Sequence, residues 1–318
     1  MRRWPRKWRS NCHGCEVILT PRVLVVGDIM TDISARIEGP IAVGSDRRAR
    51  IIQRHGGAAA TQAIWLARAG VAVDFVGRVS AADHAAESEA LSREGVTPHL
   101  VADFKLATGR LIAIVDPSGE RSFLTDRGAN DALEAADIPD ALIEGADHIA
   151  LSGYSFLAPA PREAARGVIA RAAGRPVSVD PASAEFLREI GAAEFLAWTA
   201  GAAMLFPNAE EAAVLAGTDD PAAQGARLGA LYPLVVIKRG ALGCEAWAGA
   251  EHWRVAASGA EAVDTTGAGD AFVAGFLAAR LKGEGIEQSL RCAVAAGSTA
   301  VRFEGGRPPV DTPGGADR

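Results

Sequence analysis

The sequence lacks the long apolar run that a membrane span requires, since no stretch approaches the ~20 consecutive apolar residues that cross a bilayer. It has four cysteines, at positions 12, 15, 244 and 292, too few to form a disulfide framework in a chain of this size. This scarcity predicts a protein of the reducing cytoplasm. The net charge is −6, and the basic residues are scattered after the first ten. We therefore expect neither a membrane nor a nucleic acid as a partner.

The chain is long enough, at 318 residues with 49% hydrophobic content, to bury a large α/β core. Residues 1–20 differ from the rest because they are basic and contain a Cys12–Cys15 pair spaced as half of a zinc site. No second ligand pair with suitable spacing follows, and no apolar segment typical of a secretory signal is present. We interpret residues 1–20 as a disordered extension or the product of a start codon placed too far upstream. Residues 21–318 are predicted to form a single domain.

Strand and helix patterns alternate along most of the chain. Residues 23–27 form a continuous apolar run that ends in glycine, which is typical of a buried parallel strand. Further along, the pattern predicts a helix over 183–198 and a β-rich run over 255–263. The alternation predicts a three-layer α/β/α fold with a mostly parallel central sheet. Two β-rich segments, about 30–50 and 103–128, fit no crossover helix, so we expect them to form a small β-sheet lid over the ligand-binding edge of the sheet.

The stretch Asp264–Phe272, with the sequence D-T-T-G-A-G-D-A-F, carries most of the functional information. Its position after a β-rich run and before an apolar helical pattern predicts a strand, a glycine turn and a helix N-terminus. The backbone amides of Gly267, Ala268 and Gly269 would then bind an anion, phosphates above all. Asp270 would repel a static anion, but it is suited to accept a proton from an attacking hydroxyl, as phosphoryl transfer to an alcohol requires. A helix N-terminus favours the charged carboxylate, so we expect Asp270 to be ionised and a weak base.

Simpler interpretations of this stretch explain less of it. Asp270 alone would be an ordinary helix cap. Gly267 and Gly269 form the G-x-G of a dinucleotide fingerprint, but Phe272 stands at the third glycine position. A P-loop would need a following Gly-Lys-Ser/Thr, which the stretch lacks.

The complete D-T-T-G-A-G-D pattern resembles the second signature of the ribokinase-like (PfkB) family of carbohydrate kinases, and residues 21–310 follow the family pattern. The resemblance implies a ribokinase-like fold and an ATP-dependent sugar kinase with Asp270 as base and the Gly267–Asp270 amides as anion hole. It implies ATP and Mg²⁺ as cofactors, with K⁺ as a further candidate, and a sugar or sugar derivative as the small-molecule partner. A homodimer paired through the exposed lid strands is also expected.

The same resemblance assigns roles to residues outside the turn. The sugar-binding residues would be Asp32, the first-signature glycines Gly56 and Gly57, Thr61 and Met30, with Arg110 from the lid. The nucleotide and Mg²⁺ would be contacted, largely through water for Glu211, by Asn208, Glu211, Lys238, Gly240, Gly243 and Thr265. A monovalent cation would be held by Asp264, the carbonyl of Thr266, Ala300 and Gly305.

Two departures from the family pattern bear on the substrate. Thr61 replaces the signature asparagine, and Met30 stands where ribose-specific members carry another asparagine. Both changes remove amides that would bind sugar hydroxyls, so we expect a pocket less polar than that of a ribokinase. The lid arginines Arg110, Arg121 and Arg127 would reach an anionic group if they point inward, which favours a sugar acid or sugar phosphate.

Three other functions remain open from the sequence. A nucleoside kinase needs an aromatic or apolar platform for the base, for which Phe104, Phe123 and Tyr154 are candidates. A sugar-phosphate kinase needs two or three converging basic groups. A non-catalytic sugar-binding regulator would keep the fold, although such a protein does not need the base Asp270.

Overall fold

The computed structural model describes residues 20–308 except positions 42, 119, 182, 258, 260 and 261. The predicted N-terminal extension lies outside the described residues apart from residue 20. Within the described part of the chain, no helix combines the length and the apolar character needed to span a membrane.

The described residues form thirteen strands and ten α-helices. The strands are β1 (Arg22–Val26), β2 (Met30–Ile37), β3 (Ala49–Gly56), β4 (Ala72–Ser80), β5 (Val96–Asp103), β6 (Gly109–Val115), β7 (Arg121–Asp126), β8 (His148–Ser152), β9 (Val177–Asp180), β10 (Met204–Leu205), β11 (Leu234–Lys238), β12 (Cys244–Ala248) and β13 (Glu251–Val255). The helices are α1 (Ala58–Arg68), α2 (His84–Arg93), α3 (Asp140–Gly145), α4 (Pro159–Arg171), α5 (Ala184–Ile190), α6 (Ala192–Trp198), α7 (Ala209–Ala216), α8 (Pro221–Gly229), α9 (Ala268–Leu281) and α10 (Ile286–Ala300).

Nine of these strands form one sheet in the order β13-β12-β11-β10-β9-β8-β1-β4-β5. The strands from β11 to β5 are parallel, whereas β12 and β13 extend the sheet antiparallel at one edge. Alternate residues of a strand point to opposite faces, and on β1 all four of Val23 to Val26 are fully buried. Val23 and Val25 belong to one hydrophobic cluster, and Leu24 and Val26 to another. Helices α1, α2, α9 and α10 contribute to the first cluster and α3–α8 to the second, so the predicted three-layer α/β/α fold is confirmed.

The lid is a separate four-stranded sheet in the order β3-β2-β6-β7. Its two central strands, β2 and β6, are parallel, and the outer strands pair antiparallel with them. The lid strands come from the two segments expected from the sequence, except that β3 continues past position 50 to Gly56. That extension leads directly into Gly57 and α1, so the lid joins the core beside the glycine pair.

Two predicted elements differ from the structure. The helix expected over 183–198 is split into α5 and α6, because Gly191 between them has a φ of 89°, which no α-helix accommodates. The β-rich run over 255–263 is not a strand in its described residues, since β13 ends at Val255. The backbone amides of Val263 and Asp264 instead donate to the carbonyl of Val301, at 2.8 and 3.1 Å. The glycine turn is thus anchored to the end of α10 rather than to a strand.

Gly275 lets α9 and α10 pack closely, and its replacement by alanine tests that packing. A Cβ at Gly275 would lie 2.8 Å from the Cβ of Ala296 and 2.9 Å from the carbonyl oxygen of Cys292. We expect Gly275→Ala to lower the free energy of unfolding by about 1–3 kcal/mol, despite the better helix propensity of alanine, because the two helices must separate. Urea unfolding followed by circular dichroism measures the change.

Gly167→Ala on α4 is the matched control. Nothing lies within 4 Å of a Cβ built at Gly167. This variant should therefore raise the free energy of unfolding by about 0.5–1 kcal/mol, as helix propensity alone predicts. A Gly275→Ala protein as stable as the Gly167→Ala protein would contradict the close contact.

Candidate active site

The turn before α9 brings backbone amides to the carboxyl edge of the central sheet. Gly267 caps the helix with a φ of 71°, a left-handed conformation that favours glycine. A Cβ at Gly267 would lie 2.4 Å from the Cα of Gly306, so the loop after α10 packs against the turn where a side chain would not fit. Ala268 and Gly269 then begin the helix, whose first N–H groups have no carbonyl partner within the helix. The predicted turn and helix N-terminus are therefore present.

Asp270 lies on the wall of a cavity of about 350 Å³ at this helix terminus, which we call the turn cavity. Its lining brings together residues from six separate parts of the chain: Ala58, Ala59, Gln62, Ser152, Tyr154, Asp180, Asn208, Glu211, Lys238, Gly240, Gly267, Gly269 and Asp270. Parallel α/β sheets place such residues together because the carboxyl ends of all their parallel strands meet at one edge.

The environment of Asp270 opposes the expectation that its helix N-terminus keeps it a weak base. Burial raises the pKa of Asp270 well above its ordinary value, and the negative charge of Asp180 raises it further. The ammonium of Lys238 acts in the opposite direction. A helix terminus supplies a modest field, whereas the removal of water from around a carboxylate is the larger effect here. Asp270 is consequently a stronger base than the sequence suggested.

Lys238 and Asp180 form an ion pair inside the turn cavity, with Nζ 2.6 Å from Oδ2. They lie at the ends of β11 and β9, which flank the short strand β10. A Cβ at Gly269 would lie 3.4 Å from Nζ of Lys238, so the ammonium sits beside the amides of the turn. The sequence placed Lys238 next to the nucleotide but gave no role to Asp180. The sequence feature that could have indicated Asp180 is its position at the end of an apolar strand.

Asn208 and Glu211 cap α7 and also face the turn cavity. The side chain of Asn208 accepts from the Glu211 amide at 2.9 Å, and Glu211 Oε2 accepts from the Asn208 amide at 2.8 Å, which is a complete capping box. Burial raises the pKa of Glu211 to about 7, while the charge of Lys238 lowers it. Because the Glu211 carboxylate is already hydrogen-bonded, it fits a Mg²⁺ ion held through water. No group of three or more His, Cys, Asp or Glu side chains among the described residues is placed to hold a metal unaided.

The other predicted nucleotide-contacting residues are only partly brought together. Gly240 lines the turn cavity. Gly243 lies immediately before β12, and a Cβ there would be 2.0 Å from the carbonyl oxygen of Val255, so glycine permits a close backbone contact at this position. Thr265 is exposed, and its carbonyl accepts from the Ala268 amide at 3.3 Å. Their contact with a nucleotide stays a prediction.

Asp32 on β2 lies against the glycine pair. A Cβ at Gly56 would be 2.1 Å from the Asp32 carboxyl carbon, so any side chain at position 56 would displace the carboxylate. Gly57 has a φ of 95°, and a Cβ there would be 2.6 Å from the carbonyl oxygen of Asp28. Oδ1 of Asp32 is buried with no hydrogen-bond partner among the described residues. Burial raises the pKa of Asp32 to about 6, although the charge of Arg307 lowers it.

Thr61 and Met30, the two departures from the family pattern, are both buried beside these residues. Met30 pairs across the lid sheet with Gly56 and is 5% exposed. Thr61 lies on α1 and is 4% exposed, and its methyl group would be 3.5 Å from a Cβ at Gly306. The structure therefore brings both residues to the predicted sugar side of the site, and their effect on sugar preference stays a prediction.

Arg110, predicted to bind the substrate, lines neither cavity. Its neighbour Leu111 faces a second, larger cavity of about 660 Å³ beneath the lid, and alternation along β6 puts Arg110 on the opposite face. A sequence pattern in a two-sided strand does not reveal which face is inward. Arg121 does point inward and donates to Asp264 at 2.6 Å and to Thr266 at 2.9 Å. Arg127 instead packs over the ring of Tyr154, 5.2 Å from its centroid.

Asp264, predicted to hold a monovalent cation, is surrounded by donors. The amides of Thr266 and Gly305 and the Arg121 guanidinium all donate to its carboxylate, at 2.8, 2.9 and 2.6 Å. Burial alone would raise the pKa of Asp264, but these hydrogen bonds lower it to about 2. The carbonyl of Ala300 accepts from the Phe303 amide at 3.3 Å. Asp264, Thr266 and Gly305 are thus brought together, and their binding of a cation stays a prediction.

Arg307 is a site residue that sequence reasoning missed. One of its terminal nitrogens donates to the carbonyl of Gly56 at 2.9 Å, and its Nε is buried with no partner among the described residues. It lies in the loop that packs against Gly267, 251 positions from Gly56. No local pattern marks such a residue, because only the tertiary fold brings the loop to the glycine pair.

Of the three aromatic candidates for a nucleobase platform, only Tyr154 lines the turn cavity. Phe104 is 88% exposed. The ring of Tyr154 packs edge-on against Phe186, with centroids 5.7 Å apart. Phe123 lines the larger cavity but remains 55% exposed.

Comparison with known proteins agrees with this arrangement. The model of the pfkB family of carbohydrate kinases matches residues 20–313. The chain is 31% identical over 298 residues to an ATP-dependent ribose-1-phosphate kinase of Halopiger xanaduensis, covering 90% of this chain and 94% of the relative. The structure of Arabidopsis thaliana ribokinase complexed with ribose and ATP is similar, with a TM-score of 0.76, 26% identity and coverage of 90% and 94%. Adenosine kinase from Sinorhizobium meliloti gives a TM-score of 0.82, 26% identity and coverage of 92% and 97%.

The family match covers the glycine turn, Asp32, the glycine pair and the lid together, and it confirms the resemblance seen in the sequence. It also confirms the expected class of activity, phosphoryl transfer to a carbohydrate. The chain belongs to the pfkB family of carbohydrate kinases.

Proposed function

We propose that the chain transfers the γ-phosphoryl group of ATP to a hydroxyl of a sugar that lies between Asp32 and Asp270. The observation that carries this proposal is the half-buried carboxylate of Asp270 in the first turn of α9, beside the amides of Gly267–Gly269 and the ammonium of Lys238. Anion-binding groups and a base with a raised pKa at one point are what phosphoryl transfer to an alcohol needs.

Each protein group has a distinct task in the proposed reaction. Asp32 accepts hydrogen bonds from sugar hydroxyls through Oδ1, which has no hydrogen-bond partner among the described residues. Asp270 takes the proton of the attacking hydroxyl as its oxygen approaches phosphorus. The turn amides and Lys238 stabilise the negative charge on the transferring group and need no rearrangement to do so. Asp180 holds Lys238 in place through their ion pair.

ATP and Mg²⁺ would occupy the turn cavity and its rim. Glu211 would hold Mg²⁺ through water, Asn208 and Gly240 would lie beside the phosphates, and Gly243 and Thr265 would flank the nucleotide. Bound Mg²⁺ supplies positive charge to the phosphates of the nucleotide. A K⁺ ion at Asp264 is a further candidate, although the Arg121 guanidinium already contacts that carboxylate.

The relatives' names leave the acceptor open. The Halopiger relative is named for a phosphorylated pentose, and the Arabidopsis relative was solved with free ribose. Both names are consistent with a sugar as the acceptor, but they differ in whether that sugar carries a phosphate group. The substrate class must therefore be argued from this chain's own residues.

We expect Asp270→Asn to lower kcat by roughly 10²–10⁴, the range for loss of a positioned base, with little change in KM. Asparagine keeps the size of the side chain but does not accept the proton. ADP release in a coupled assay measures the change. Asp219→Asn, an exposed substitution that lines neither cavity, is the matched control and should leave kcat unchanged. Near-normal turnover of Asp270→Asn would refute the assignment of the base.

Asp32→Asn should make the sugar-free protein more stable near neutral pH. The folded pKa of Asp32 is raised to about 6, so the folded state favours the neutral acid and loses stability as the pH rises through that value. Asparagine resembles the neutral acid, so the variant should gain about 1–3 kcal/mol near pH 7.5. The gain should shrink towards zero near pH 4, because the wild-type carboxyl is then protonated as well. Urea unfolding at the two pH values measures both effects, and a gain that is equal at both would contradict the burial of a charged Asp32.

We also propose that the outer face of the lid pairs with a second copy of the chain. That face carries apolar side chains, among them Ile51 and Leu124, which are 66% and 58% exposed. Ile112 lies directly opposite Leu124, and Ala35 lies between Ile51 and Ile114. Exposed apolar patches of this kind mark interaction surfaces, and a twofold pairing would cover the same face on both copies.

Light scattering on the purified protein should give a dimer. Leu124→Asp should shift it to a monomer, because the charge would be buried in the pairing face. Arg110→Gln, on the same face but polar in both forms, is the matched control. A wild-type monomer at micromolar concentration would contradict the pairing.

A further inference from the structure

The lining of the larger cavity beneath the lid contains more arginines than carboxylates. Its lining includes six arginines: Arg36, Arg50, Arg54, Arg93, Arg121 and Arg307. Four carboxylates share this lining: Asp32, Glu94, Asp264 and Glu304. Asp264 is already paired with Arg121, and Asp32 is the proposed sugar ligand. The cavity therefore carries an excess of positive charge next to the acceptor site.

The register of the lid strands concentrates this charge on the inward face. Arg54 on β3 lies directly opposite Asp32 on β2, and Arg50 lies directly opposite Arg36. Directly opposed like charges destabilise a sheet, and within the described residues neither Arg36 nor Arg50 has a carboxylate within ion-pair distance. An anion bound beneath the lid would relieve this repulsion.

Arg307 brings a further guanidinium to the same place from the core side. Its guanidinium donates a hydrogen bond to the carbonyl of Gly56. The Asp32 carboxylate occupies the volume that a side chain at Gly56 would fill. The Nε of Arg307 remains a buried donor without a partner in the described part of the chain. Arg54 has one contact, to Glu304 at 3.2 Å, with both side chains substantially exposed, and such pairs contribute little to stability. Both guanidinium groups are therefore able to accept an anionic ligand.

We propose that the acceptor is a sugar that already carries a phosphate group, bound by Arg307 and Arg54 beside Asp32, with Arg36 and Arg50 completing the anion site from the lid. This inference rests on the proposed kinase function for the position of the sugar. A phosphate dianion suits the site better than a carboxylate, because its three terminal oxygens accept hydrogen bonds from several guanidinium groups at once. Along β2, Arg36 lies about 13 Å from Asp32, so the phosphate would lie between the sugar-binding carboxylate and the outer arginines.

The reaction then converts a sugar monophosphate into a sugar bisphosphate. A bond forms between the free sugar hydroxyl oxygen and the γ-phosphorus of ATP, and the bond from that phosphorus to the β–γ bridging oxygen breaks. The hydroxyl proton passes to Asp270 and then to solvent, and ADP leaves with the bridging oxygen. The existing phosphate ester takes no part in the chemistry and serves only in recognition.

The first test compares phosphorylated and free sugars as substrates. The panel is ribose 1-phosphate, ribose 5-phosphate and fructose 6-phosphate, with ribose, fructose and 2-keto-3-deoxygluconate as the unphosphorylated arms. We expect one sugar phosphate to exceed its free sugar in kcat/KM by at least about 100-fold, as two or more charged hydrogen bonds would provide. A preference for the free sugar or for the sugar acid would overturn the inference.

Variants connect the preference to the arginines. Arg307→Gln should raise KM for the sugar phosphate by about 10- to 100-fold and raise KM for the free sugar much less, because the free sugar loses only the indirect effect of Arg307 on Gly56 and Asp32. The double variant Arg36→Gln/Arg50→Gln alters exposed side chains only, so it should fold normally, and it should act in the same direction. Arg110→Gln, on the outer face of the same lid, is the control and should change neither value. Equal losses for phosphorylated and free sugars would contradict an anion site.

Calorimetry with the Asp270→Asn variant separates this inference from the kinase proposal. Ribose 1-phosphate, ribose 5-phosphate and fructose 6-phosphate are titrated against their free sugars in the absence of turnover. Tighter binding of a sugar phosphate that Arg307→Gln abolishes would support the anion site, even if the wild-type protein released no ADP and the kinase proposal failed. No tighter binding of any phosphate would overturn the anion site, even if the wild-type protein phosphorylated a free sugar.

Discussion

The contact between Gly267 and Gly306 is the constraint on which the site depends. A Cβ on Gly267 would overlap the backbone of Gly306, so the turn before α9 and the loop after α10 meet because position 267 lacks a side chain. The same loop places the Gly305 amide on Asp264 and the Arg307 guanidinium on Gly56. One backbone contact therefore fixes the proposed anion hole, the glycine pair and the base relative to one another.

Burial of charge is the second physical feature of the site. Asp270, Asp180, Glu211 and Lys238 share a small cavity, and the withdrawal of water raises the pKa of both Asp270 and Glu211. Such clustering is unfavourable for folding on its own, since buried ionised groups are stabilised only by partners. The ion pair of Lys238 with Asp180 supplies part of that compensation. A phosphate-bearing ligand with its cation would supply the rest, which is the pattern expected where function rather than stability selects the residues.

The sequence predicted what is encoded locally. The turn from Asp264 to Asp270 and the capping box from Asn208 to Glu211 lie within seven residues each, so their geometry follows from residue order. The three-layer fold followed from periodicity. What the sequence did not reveal depends on tertiary structure. The raised pKa of Asp270 depends on burial, the inward face of β6 depends on strand register, and Arg307 contacts Gly56 across 251 positions. Asp180 escaped notice because an aspartate after a strand is common, and its partner Lys238 lies two strands away.

A crystal structure with a non-hydrolysable ATP analogue and ribose 1-phosphate or fructose 6-phosphate tests the central claim most directly. We predict the acceptor hydroxyl within about 2.6–3.2 Å of the Asp270 carboxylate and in line with the γ-phosphorus. A second hydroxyl should lie on Asp32, and the sugar's own phosphate should contact Arg307. A sugar bound with its phosphate away from Arg307 would contradict the substrate assignment, and a sugar hydroxyl outside hydrogen-bond reach of Asp270 would contradict the proposed base.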